Sequence, residues 1–173
     1  MENKHFIHVH NPEGTGKKLL VLGGDITVSG KGFAKGVKHK QSDYVHKIIR
    51  YCVETVRDFG FCVMQSLAWE QNYKNSEDVI KLYRDGEKFK ADIIIFQIGD
   101  HIEKEWFDEE TFKAEFEKLV YFVDPFRRSK IVILTSFSKT VSDIGGLVLF
   151  AVIIFTVLKF SLFKKRVKKN DEE

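Results

Sequence analysis

The run Leu19-Leu20-Val21-Leu22-Gly23-Gly24-Asp25-Ile26-Thr27 constrains this chain more than any other stretch. Four successive apolar residues leading straight into two glycines leave no polar face for water, so the segment has to run inside a sheet covered on both sides. Ile93-Ile94-Ile95-Phe96 and Ile131-Val132-Ile133-Leu134 carry the same signature. Periodicity predicts strands at about 18–23, 61–66, 91–98 and 130–135, with helices between them at about 42–58, 76–84 and 108–122. Strand and helix in alternation imply an α/β fold, a parallel sheet with helices on both faces. In such sheets ligands sit beyond the carboxyl ends of the strands, which makes Asp25, directly after the first strand, the leading candidate for chemistry.

Local signals agree with this order. Ser42, with Asp43 beside it, reads as the N-cap of the first helix; Ile48, Ile49, Cys52, Val53 and Val56 form its apolar stripe and Gly60 closes it. Asp108-Glu109-Glu110 puts negative charge on the positive end of the third helix, and Pro125 follows its end. With 173 residues, 43% of them hydrophobic and 16 of them Phe, the chain can bury one core and carry an appendage. The expected division is an N-terminal extension over 1–17, an α/β domain over 18–138, an apolar segment over 144–163 and a charged tail over 164–173.

The balance of 28 basic against 25 acidic residues gives +3, and much of the excess lies in Lys164-Lys165-Arg166-Val167-Lys168-Lys169. The body is therefore close to neutral, and no nucleic-acid footprint is expected. Cys52 and Cys62 fall on apolar positions and read as core thiols. Met1 to Asn11 lacks the apolar run and small-residue cleavage site of a secretory signal, so a cytosol-facing body is expected. Residues 144–163 read IGGLVLFAVIIFTVLKFSLF, with Lys159 the one charge. A helix of twenty residues spans about 30 Å, enough for a hydrocarbon core. A buried helix or strand of the globular domain is the other reading, but a soluble helix of this length normally shows a polar face. Membrane association with a cytoplasmic body is the simplest picture.

Five stretches, in order, resemble the SGNH (GDSL) hydrolases. Gly24-Asp25-Ile26-Thr27 is similar to the nucleophile turn Gly-Asp-Ser-Ile-Thr; Asp43-Tyr44-Val45-His46 opens the first helix; Ala68-Trp69-Glu70-Gln71-Asn72-Tyr73 follows the second strand, where the family has its oxyanion glycine. Ala91 to His101 resembles the third strand and the Gly-x-Asn turn, and Lys130 to Phe137 the fourth strand. The resemblance covers about residues 12–138 and implies a three-layer, flavodoxin-like sheet, truncated after its fourth strand. It also implies the sites. Alignment on Ile26-Thr27 puts Asp25 at the serine position, His101 at the oxyanion asparagine and Ala68 at the oxyanion glycine, so all three are substituted. Gly24, Thr27, Trp69, Glu70 and Asp100 would line the pocket. The family's C-terminal Asp and His have no counterpart, since all six histidines lie before residue 102.

Loss of a triad nucleophile lowers rates by about 10⁴ to 10⁶. The implied function is a hydrolase-like protein without ester hydrolysis, a binding or scaffold module at a membrane, with a residual esterase-like activity through Asp25 and His101 as the alternative. A small acyl or carbohydrate-ester ligand would suit the family pocket; no cofactor and no metal are implied. Asp25, Asp100 and His101 could in principle hold a metal, but three ligands without an orienting shell read better as solvated groups. His8 and His10 share one face of a short strand and read as a solvated edge. Ser29 reads as an ordinary loop serine. Gly14-Thr15-Gly16-Lys17-Lys18 looks like a phosphate loop but is followed by a strand, and Lys18 stands where Ser or Thr is needed.

Overall fold

The computed structural model describes residues 7–24, 27–28 and 43–135, apart from the side chains of Lys104 and Thr135. Asp25, Ser29, Ser42 and the segments 144–163 and 164–173 lie outside the described residues. The elements in order are β1 (Ile7–His10), β2 (Lys18–Gly23), α1 (Tyr44–Thr55), β3 (Gly60–Gln65), α2 (Leu67–Asn72), α3 (Arg84–Phe89), β4 (Ile93–Ile98), α4 (Glu109–Val123) and β5 (Lys130–Thr135). The five strands form one mixed sheet in the order β1-β3-β2-β4-β5. The four strands expected from sequence are parallel to one another. β1 is the exception.

β1 pairs antiparallel with β3, His10 opposite Phe61, so the expected N-terminal extension contributes an edge strand. The short strand read from His8 and His10 forms, and it takes the edge of the sheet. The histidine rings lie against Phe61, with centroids 5.2 Å away for His8 and 5.1 Å for His10. The loop from β1 to β2 explains the phosphate-loop look of Gly14 to Lys18. Asp58 Oδ2 accepts from Thr15 N at 2.5 Å and Thr15 Oγ1 at 2.8 Å, and Oδ1 accepts from Asn11 Nδ2 at 2.9 Å. The chain's own carboxylate occupies the nest.

Side chains alternate across each strand, and the register decides the two layers. Leu20 and Leu22 of β2, Cys62 and Met64 of β3, and Ile94 and Phe96 of β4 share one face and pack with Trp69, Tyr73, Tyr83, Phe89, Leu119 and Val123. Gly86, in the middle of α3, lets that helix approach, since a Cβ there would stand 3.1 Å from Met64 Sδ. Leu19, Val21, Val63 and Ile95 are buried on the other face. The connection from β2 to β3 runs opposite in direction to that from β3 to β4, so a right-handed crossover puts α1 on this second face. Its buried stripe is Val45, Ile49 and Cys52.

Helix bounds differ from expectation where side chains intervene. The N-cap of α1 is Asp43, whose Oδ1 accepts from His46 N at 2.7 Å. Leu67–Asn72, expected as a loop, is helical. The helix expected at 76–84 is a 3-10 turn at Ile80–Tyr83 followed by α3. Both cysteines are buried and free, and burial pushes their thiols up, to about 11 for Cys52 and about 12 for Cys62. Among the described residues no helix is long and apolar enough to cross a membrane.

Candidate functional site

The strand order reverses between β2 and β4: the chain leaves β2 toward β3 on one side and crosses back to β4 on the other. In open α/β sheets such a switch, beyond the carboxyl ends of the two strands, is where ligands bind. Gly23 and Gly24 form its floor. Gly24 N donates to Gln97 O at 3.1 Å, and Ser66 N, at the head of β3, donates to Gly23 O at 2.8 Å. The backbone then curls back, with Thr27 N and Val28 N each 2.9 Å from Gly24 O. Close approach requires glycine at Gly23 and brings Gly24 against the tip of Asp100. A Cβ on Gly23 would stand 2.1 Å from Thr27 Oγ1, and one on Gly24 would stand 2.8 Å from Asp100 Oδ2.

Above this floor runs a directed chain of hydrogen bonds. Thr27 Oγ1 donates to Gln97 Oε1 at 2.7 Å, and Gln97 Nε2 donates to Asp100 Oδ1 at 2.9 Å. A threonine hydroxyl has one proton, so the 2.7 Å contact between Tyr44 and Thr27 makes Tyr44 the donor. Burial raises the Tyr44 phenol well above its ordinary range, so it keeps the proton this role needs. Thr27 is wholly buried and Gln97 nearly so, which makes a broken link costly.

A second brace holds the turn after β4. Glu70 on α2 is 2% exposed. Its Oε2 accepts from His101 N at 2.8 Å, its Oε1 from Ser66 Oγ, and it also accepts from the Gly99 amide. Desolvation by burial raises its carboxyl, against the three donors that favour the charged form. Gly99 takes φ 121°, a conformation that suits only glycine, so the turn that carries Asp100 and His101 is fixed by backbone geometry as well as by Glu70.

The pocket residues named from sequence thus divide. Gly24, Thr27 and Asp100 meet at the switch point, and Glu70 and His101 are joined beside it. Ala68 lies in the first turn of α2, half-buried, with its carbonyl accepting from Asn72 Nδ2 at 2.9 Å. Trp69 faces the core, its ring 6.1 Å from Tyr73, 5.6 Å from Phe112 and 6.1 Å from Phe116. Asp25 lies outside the described residues.

Sequence reading missed four site residues, Tyr44, Gln97 and the pair Asp43–His46. His46 Nδ1 lies 2.8 and 2.7 Å from the two oxygens of Asp43, whose side chain is fully buried while that of His46 is one-fifth exposed. A carboxylate only accepts, so Nδ1 carries a proton directed at Asp43. The signal was an Asp-x-x-His spacing at a helix start, which puts both side chains on one face. Among the described residues no group of three or more His, Cys, Asp and Glu side chains is arranged to hold a metal ion. No protein-family model matches the chain, and no curated protein sequence matches it.

Proposed function

We propose that the domain is an SGNH-hydrolase-like scaffold that works as a binding module at a membrane and does not hydrolyse esters. The parallel strands, taken in chain order, lie 2-1-3-4 across the sheet, an order that supports the flavodoxin-like three-layer reading. The observation that carries the proposal is the use made of the polar groups at the switch point. Tyr44, Thr27, Gln97 and Asp100 are bonded in series, and Glu70 is spent on the Gly99–His101 turn. These bonds hold two turns in register. They supply a rigid rim for recognition, and the position that aligns with the family's serine carries Asp25, which has no hydroxyl to attack an acyl carbon.

The residues fit a small polar ligand, an acyl or carbohydrate ester by family likeness, resting on the Gly24 to Asp100 rim. The apolar 144–163 segment supports membrane attachment of a cytoplasmic body. Short acyl chromogenic esters test the absence of catalysis. The expected result is turnover no faster than the buffer blank, and turnover that disappears in Asp25→Ala would overturn the proposal in favour of a residual hydrolase.

A further inference from the structure

We propose that the turn between α4 and β5, with Phe126 at its tip, is a docking surface for an anionic lipid bilayer. Of the ten large apolar side chains exposed among the described residues, four fall within 121–133: Tyr121, Phe126, Ile131 and Ile133. Phe126 is 72% exposed, the most of any, although it sits in a turn that is firmly built. Asp124 Oδ1 accepts from Arg128 N at 3.1 Å, its Oδ2 accepts from Ser129 N at 2.9 Å, and Ser129 Oγ donates to Ala91 O at 2.8 Å. The ring is therefore presented to solvent by a fixed backbone.

Charge identifies the occupant. Arg127, Arg128 and Lys130 are all exposed in the same turn, and the bond from Ser129 to Ala91 brings exposed Lys90 alongside. The Arg127 guanidinium lies 5.9 Å from the Tyr121 ring and that of Arg128 lies 5.0 Å from the Phe126 ring. Three carboxylates at this end of the sheet are engaged: Asp124 caps the turn, Asp92 holds Lys17 at 2.6 Å, and Asp58 fills the Gly14 to Gly16 nest. An aromatic tip beside two arginines, followed by two exposed isoleucines, offers cations to lipid phosphates and apolar side chains to hydrocarbon. Nucleic acid offers phosphates but no hydrocarbon for Ile131 and Ile133. The inference leans on the membrane reading of 144–163 only in that the segment would bring a bilayer within reach.

The test uses the full chain with Phe126→Trp and Trp106→Phe, leaving Trp69, which is wholly buried, as a silent background. Its emission is read on vesicles of brominated phosphatidylcholine with and without phosphatidylserine, with flotation recorded in parallel. Emission quenched on the serine-containing vesicles and spared on the neutral ones is expected. Each arginine near an anionic leaflet contributes about a fivefold preference, so adding Arg127→Gln and Arg128→Gln should lower the docked-to-undocked ratio about thirtyfold while flotation persists. Equal emission on both vesicle types, or quenching that survives the arginine changes, overturns the proposal. So does an equal emission change on duplex DNA in place of vesicles. Failure to float on neutral vesicles defeats the membrane reading of 144–163 instead, and serine-dependent quenching would still uphold the docking surface.

Discussion

Glu70→Ala probes the framework at a buried carboxyl. The substitution strands three donors, Ser66 Oγ and the amides of Gly99 and His101. Each buried donor without a partner costs about 1–3 kcal/mol. Against this, a carboxylate held where burial disfavours its charge is removed, which returns a few kcal/mol, and a water entering the space satisfies one donor, leaving a net loss of about 2–4 kcal/mol. Glu70→Gln separates the two contributions. Its oxygen can keep the amides while its NH2 donates to Ser66 Oγ, whose hydroxyl rotates, so a cost below about 1 kcal/mol follows. Urea unfolding, followed by the emission of buried Trp69, measures both variants. The pH dependence adds a sign. A carboxyl raised in the folded state holds its proton where the unfolded chain has already lost it. Its contribution is complete below about pH 4.3 and is lost as pH rises through the raised value, a slope that Glu70→Gln should remove. Equal losses in Glu70→Ala and Glu70→Gln would refute the reasoning, because the charge rather than the acceptor geometry would then be what matters.

Gly23→Ala should cost about 1–3 kcal/mol in the same unfolding assay, because the added Cβ meets Thr27 Oγ1 at 2.1 Å and must push the Thr27–Gln97 bond apart. Asp58, held down to about 2 by Asn11 and Thr15, should support the fold fully above about pH 4, with that support fading as pH falls toward 2. Asp58→Asn should flatten this part of the acid-unfolding curve, read by circular dichroism.

The four parallel strands were legible because each is an apolar run with no polar face, as burial on both sides requires. β1 was legible only as a short strand with His8 and His10 on one face; its antiparallel pairing with β3 was not, because that contact joins it to the sheet at an edge alone. The helix expected at 76–84 illustrates how packing overrides pattern. α3 instead runs from Arg84 through Gly86 to Phe89, and the missing side chain at Gly86 lets it lie close to Leu20 and Met64. At the candidate site, the glycines and the turn after β4 were visible as local motifs. The bond from Thr27 to Gln97 spans seventy residues of sequence and that from Glu70 to His101 spans thirty-one, so neither could be seen before the strands were laid side by side. Trp69 and Glu70, adjacent in sequence, part company on α2: one side chain enters the aromatic core and the other reaches the rim.

Labelling with a fluorophosphonate, read by mass spectrometry of the intact chain and its peptides, tests most directly the proposal that this domain lacks acyl chemistry. The account predicts an unmodified chain after exposure that fully labels a serine esterase control. A phosphonyl adduct on a residue at the switch point, from the Gly24 turn or beside His46, would contradict it.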